Sequence, residues 1–350
     1  TLFEASTQNV MGDISLNYHI LPGLDFRLPG GFTRMDFQEI STFPTSSIDP
    51  ASGIINGAAY FGENKTSTWI LEPQLSWRRA IGPGQLQVLL GTTFQQSLQS
   101  SKTLSATGYT NDALLENIAG AAKISVYGAQ AQEYKYQALF ARILYDIKNQ
   151  WILDLTGRRD GSSRFGPGKQ FASFGAVGAS WIFSRQAFAQ NHLSFLSFGK
   201  LRASMGVTGN DQIGDYQFLS TYSPTSYPYQ GSGGLFPNNL ANPDYSWEKN
   251  TKWEIGLETG WLRDRFLISV SYYSNRSTNQ LVGYALPQIT GFGSVVANLP
   301  AVLRNSGWEF EVNTHNVKTQ SFSWSTAFNL SIPKNKLAAL PRLSGSSYAY

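Results

Sequence analysis

Lys252-Trp-Glu-Ile-Gly-Leu-Glu-Thr-Gly-Trp261 decides the fold. Its odd positions are Trp253, Ile255, Leu257, Thr259 and Trp261; its even positions are Lys252, Glu254, Gly256, Glu258 and Gly260. A helix would mix acids and aromatics around its surface, whereas a strand sends them to opposite faces. After a tight turn at Arg263-Asp264 the pattern resumes in Phe266, Ile268, Val270 and Tyr272. Trp308, Phe310 and Val312 form a second such hairpin with Phe322, Trp324, Phe328, Leu330 and Ile332, opposite Glu309, Glu311, Asn313 and Asn329.

Working outward, the same alternation predicts strands over 11–20, 23–36, 67–79, 85–97, 132–147, 150–159, 170–183, 198–208, 250–262, 265–276, 306–316 and 321–333. Many approach the ~9–11 residues a tilted strand needs to cross a bilayer. Helices are expected only around Asp112–Ala122 and Gln186. Connections at 21–22, 80–84, 148–149, 263–264 and 317–320 are tight, while those at 37–66, 98–131, 160–169, 209–249 and 277–305 are long. Short turns alternating with long loops are the signature of a bacterial outer-membrane barrel, with turns toward the periplasm and loops outside.

A soluble antiparallel sheet would also alternate, because one of its faces packs on a core. Against it stand the aromatics at strand ends (Trp69, Trp77, Trp151, Trp181, Trp253 and Trp261), placed as interface girdles would be. The polar face also carries few charges: charged residues make up 14% of the 350, against about 25% in an ordinary soluble domain. The repeat of roughly 40–50 residues that a propeller would show is missing. Net charge of +4 is too dilute for nucleic acid. Without cysteine there is no disulfide or zinc–thiolate chemistry. The expectation is all-β: an antiparallel transmembrane β-barrel of the outer-membrane transporter type. Both termini read as cuts.

Motifs for chemistry are weak. His19, His192 and His315 have no metal-ligand spacing. The phosphate-loop echo at 161–169 places Pro167 where Lys is needed. Glu254/Glu258 and Glu309/Glu311 have the spacing of paired carboxylates, as a glycosidase needs, but a polar lumen accounts for them too. Asp211 and Asp215 offer oxygens to calcium at a spacing unlike the EF-hand, so no cofactor and no metal site are expected.

Several stretches carry a family resemblance. Leu155-Thr-Gly-Arg-Arg-Asp-Gly-Ser-Ser-Arg-Phe-Gly166 resembles a signature of the SusC/RagA family of TonB-dependent outer-membrane transporters from Bacteroidetes. So do Phe198 to Tyr216, Asn242-Pro-Asp-Tyr-Ser-Trp-Glu248, Asn279-Gln-Leu-Val282, Asn305-Ser-Gly-Trp-Glu309 and Asn329 to Leu337. The resemblance implies a barrel of about 22 strands enclosing a plug. About half the strands are expected in 1–350, as one partial barrel domain without the plug, the TonB box or the closing C-terminal strands. It further implies a non-enzymatic importer of oligosaccharides or peptides, a SusD-like surface lipoprotein as lid, and the TonB-ExbB-ExbD complex as energy source. The alternatives carried alongside it are a soluble extracellular carbohydrate-binding β protein and a glycoside hydrolase.

Substrate or lid contact is expected from Arg159, Asp160, Arg164, Asp211, Tyr216, Tyr227, Tyr229 and Trp247. Arg158, Arg159 and Arg164 are expected to surround Asp160 as an ion-pair network. The 209–249 loop, with its many aromatics and prolines, is expected to be ordered. On the wall, Ile255 and Val270 should face lipid, whereas arginine at lumen-facing Gly256 should cost little.

Overall fold

The computed structural model describes residues 2–225 and 229–341. Its strands are β1 (Leu2–Leu21), β2 (Leu24–Phe43), β3 (Gly57–Leu71), β4 (Gln74–Ile81), β5 (Gly84–Tyr109), β6 (Lys123–Ile147), β7 (Trp151–Ser162), β8 (Phe171–Trp181), β9 (Leu196–Asn210), β10 (Tyr222–Pro224), β11 (Leu235–Pro237), β12 (Glu248–Trp261), β13 (Phe266–Ala285), β14 (Ser294–Lys318) and β15 (Ser323–Ala339). All but β10 and β11 share one sheet, in which strands adjacent in sequence are adjacent in space; β4 fills a gap between β2 and β5. The described pairs are antiparallel.

Every expected strand is present, but most are longer than the alternation predicts. Residues 37–66 are mainly strand, with β2 and β3 paired from Gly30↔Leu71 to Phe43↔Ala58. In the same way β5 and β6 fill most of 98–131, and β13 and β14 most of 277–305. Apolar alternation marks only the part of a strand that touches an apolar solvent. Gln95-Gln-Ser-Leu-Gln-Ser-Ser-Lys102 in β5 pairs with β3 throughout, yet its pattern is polar. The expected strand 67–79 is two strands, because Pro73, which cannot donate to a ladder, separates β3 from β4. Asp112–Ala122 forms two short 3-10 turns rather than a helix, each opened by an asparagine side chain accepting a backbone N–H. A helix does follow Gln186: α1 (Ala187–His192).

Two compact units divide the chain: residues 1–17, 28–73 and 93–136, and residues 18–27, 74–92 and 137–350. In the first, Ala59, Ala106, Tyr109 and Leu115 form a small buried cluster where β3, β5 and the 110–122 loop meet. Asp112 accepts both the backbone N–H and the hydroxyl of Thr45, and these bonds hold its carboxyl below the usual carboxylate range.

In the second unit the register extends each face across seven strands. Leu153, Ala179, Ala203, Ile255, Tyr272, Trp308 and Ile332 form one cross-strand row; Trp151, Trp181, Leu201, Leu257, Val270, Phe310 and Leu330 form the next. Many of these apolar side chains are exposed, among them Leu153, Ile255, Trp308 and Leu330. Contiguous exposure on this scale suits an apolar solvent. On the opposite face runs Ile152, Ser180, Arg202, Gly256, Ser271, Glu309 and Ser331.

That polar face carries a charged network. Arg202 bridges Glu254 and Glu258, and Lys200 reaches Glu258 at 3.5 Å. Gly256 leaves the space that the guanidinium occupies: a Cβ there would lie 2.9 Å from Arg202 Nε. The neighbour that a side chain at 256 would meet is the movable end of Arg202, so the space is made by a side-chain shift and not by the backbone.

The tight turns cluster at one end. Lys148 and Asn149 both adopt positive φ, and Gln150 N–H closes the turn on Ile147 O, the geometry that suits the twist of a two-residue hairpin. At Gly23, φ is +83° and any Cβ would strike Arg78 O.

Candidate functional site

At the other end of the second unit, the long loops are tied together at their base. Phe165, from the loop after β7, is fully buried against Tyr245 (6.0 Å between rings) and Trp247 (5.1 Å). Phe174 of β8 meets Trp247 edge-on at 5.6 Å. Trp247 is 4% exposed and its indole N–H donates to Gln170 O at 3.1 Å. Tyr245 is 1% exposed, and burial, helped by the Glu248 charge, pushes its phenol up to about 12.

Asparagines lace this knot to the β13–β14 hairpin. Asn298 Oδ1 accepts Ser246 N–H at 2.9 Å, while its amide donates to Ser246 O at 2.7 Å and Asn279 O at 3.1 Å. Asn279, at φ +60°, donates to Trp247 O at 2.8 Å, and Asn242 donates to Val296 O at 2.8 Å. Asparagine tolerates the left-handed region and carries both donor and acceptor, so it can satisfy loop backbone that a ladder cannot.

The expected contact residues now separate into two groups. Asp160 is 6% exposed and is held by Arg158 Nε at 2.8 and 2.9 Å. Arg159 lies over the Phe171 ring at 5.5 Å. Arg164 pairs with Asp215 at 2.9 Å and donates to Asp211 O at 3.0 Å. The three guanidiniums expected around Asp160 thus have separate described partners: Arg158, two places before it on the same strand, holds Asp160, Arg159 lies over Phe171, and Arg164 turns toward the 211–215 loop. Arg164, Asp211 and Trp247 tie the loops together, and Asp160 is buried on β7. Among the described residues no group of three or more His, Asp or Glu is arranged to hold a metal.

Tyr216 and Tyr229 belong to the second group. Tyr216 is exposed at φ +61°. Tyr229 is 80% exposed on the small β10–β11 hairpin, beside exposed Tyr222, Leu235 and Phe236. Tyr227 lies outside the described residues. Sequence reasoning passed over Phe165, Asn279 and Asn298 as site residues, although Asn242–Glu248 and Asn279–Val282 were already conspicuous as motifs.

An exposed apolar face across a wide antiparallel sheet, a charged opposite face, turns at one end and knotted loops at the other describe a barrel wall. The sequence model of the family described as TonB dependent receptor-like, beta-barrel, matches residues 3–350. The chain belongs to this family. TonB-dependent receptor P3 of Formosa agariphila is 30% identical over 93% of the chain and 32% of its own length. TonB-dependent receptor SusC of Bacteroides thetaiotaomicron is 28% identical over 65% of the chain and 23% of its own length. Among solved structures, the RagAB peptide transporter superposes with a TM-score of 0.87 at 21% identity, over 96% of the chain and 37% of that protein. The siderophore receptor PiuA from Acinetobacter baumannii gives 0.57 at 13% identity, over 95% and 47%. The chain thus spans about a third or less of the length of the curated relatives it matches.

Membership places this wall in the bacterial outer membrane, in a family of transport proteins and not of enzymes. The soluble carbohydrate-binding alternative falls with that location. The glycosidase alternative falls as well, and the Arg202 and Lys200 contacts give the Glu254/Glu258 pair its role as part of a charged wall.

Proposed function

We propose that these residues form part of the wall and outer mouth of an importer of oligosaccharides or peptides. In this reading a SusD-like surface lipoprotein closes over the long loops, and TonB-ExbB-ExbD drives uptake through a plug folded in the lumen. The observation that carries it is the division of the 211–247 loop. Its base is buried and hydrogen-bonded, while its tip holds a hairpin that presents Tyr222, Tyr229, Leu235 and Phe236 outward. An aromatic is apolar over its face and, in tyrosine, polar at its tip, which suits contact with a partner across a wet rim.

Deletion of 222–236 from the intact transporter tests the lid contact. Co-purification of the lipoprotein should fall sharply while the barrel keeps its heat-modifiable, folded mobility in gels. Undiminished lid binding together with normal uptake would refute the assignment.

A further inference from the structure

The turn end of the second unit carries a charge imbalance that transport does not use. Arg78, Arg79, Lys148, Arg185, Arg263, Arg265 and Lys318 lie at or beside its turns, against Asp25, Asp146 and Asp264. Each of these carboxylates has a partner within the protein: Asp25 meets His19, Asp146 accepts the Asn149 backbone N–H at 2.8 Å, and Asp264 accepts the Ser197 hydroxyl at 2.6 Å. Two of the cations stiffen the turns through carbonyls, Arg185 on Asn149 O at 3.1 Å and Arg265 on Asn316 O at 2.8 Å. Arg79, Lys148, Arg263 and Lys318 are exposed, and among the described residues none has a carboxylate within ion-pair distance. At the loop end, Arg158, Arg164 and Lys169 pair with Asp160, Asp215 and Asp244.

Depth relative to the aromatic girdle identifies what these cations meet. Arg79 follows Trp77 by two residues on the same outward strand face, Arg263 follows Trp261 by two, and Lys148 precedes Trp151 by three. The girdle is firmly placed, with Trp151 stacked on Trp181 at 5.1 Å and Trp261 on Phe195 at 5.4 Å. Interfacial tryptophans sit at headgroup level. For Arg79, on β4, two further residues of strand at about 3.3 Å each bring the cation to the depth of lipid phosphates, while Arg263 and Lys148 stand in the turns just past the girdle.

We propose that this rim binds anionic phospholipid headgroups of the periplasmic leaflet. Phosphate is met by the guanidiniums and the ammonium. The excess of cations over carboxylates on this rim favours a lipid of net negative charge over a zwitterionic headgroup, whose amine the same cations repel. An acidic periplasmic protein is disfavoured as occupant because Arg79 shares the outward face of Leu75 and Trp77, beside the bilayer and not below it.

The test is electron paramagnetic resonance of trace spin-labelled lipids around the intact transporter in phosphatidylcholine vesicles. Spin-labelled phosphatidylglycerol should be retained at the protein surface roughly threefold or more over phosphatidylcholine and phosphatidylethanolamine at low salt, and the preference should decay as ionic strength rises. Combining Arg79→Gln, Lys148→Gln and Arg263→Gln should bring the ratio toward unity in a protein that retains folded gel mobility. Lys65→Gln with Lys102→Gln, on strands of the other unit, should leave it unchanged. Equal retention of all three lipids by the unaltered protein would overturn the proposal, as would a preference that survives the triple variant. Capture of an acidic periplasmic protein by the rim without lipid selectivity would overturn it too and assign the surface to that protein.

Discussion

The base and the tip of the 211–247 loop are built from the same kinds of residue and do opposite things. At the base, Tyr245 and Trp247 are buried against Phe165 and Phe174, and Asn298 satisfies the backbone of Ser246 on both sides. At the tip, Tyr222, Tyr229 and Phe236 are exposed on a hairpin of three residues per strand. Aromatic content therefore does not mark a binding residue in this loop. The presence of neighbouring backbone to complete its packing marks a structural one, and the lack of it leaves a surface for a partner.

The largest effect should fall at the base. Trp247→Ala removes a buried indole and the Gln170 hydrogen bond, and should cost about 3–5 kcal/mol in reversible folding into bilayers. A cost near that of a surface change would erase the distinction between base and tip. The wall gives a reference of similar size: Ile255→Arg on the exposed apolar face should cost about 2–4 kcal/mol, and an unaffected folding midpoint would reassign that face. Arg164→Gln leaves Asp215 without its partner in a half-buried site and should cost about 1–3 kcal/mol, read as faster proteolysis of the 211–247 loop. Tyr245 sharpens the comparison through pH. Its phenol is raised in the folded state, so the stability it contributes is present below pH 10 and lost as pH climbs toward about 12; Tyr245→Phe should flatten that alkaline decline in the denaturation midpoint. Smallest of all, Tyr229→Ala should move stability by no more than about 0.5 kcal/mol while weakening lid association.

The wall was legible because lipid imposes a period of two on every strand it touches, as in Trp253–Trp261 and Phe266–Tyr272. Turns were legible because Pro22-Gly23, Gly82-Pro83 and Lys148-Asn149 carry local chemistry. Strand length was not: once β5 and β13 leave the bilayer, hydrogen bonding continues without any apolar pattern to announce it. In the outer loops the aromatics were legible but their burial was not. Whether Trp247 is covered depends on Phe165 and Phe174, roughly seventy to eighty residues earlier in the chain, and whether Arg164 reaches Asp160 or Asp215 is decided by where the 211–215 loop lies. Composition is silent on both.

Hydrogen–deuterium exchange of the intact transporter, alone and with its lipoprotein lid, tests the central claim most directly. Residues 163–170 and 242–247 should exchange slowly in both states, and residues 222–236 should exchange fast alone and slow on lid binding. A base that exchanges as fast as the tip in the free protein, or a tip indifferent to the lid, would contradict the account.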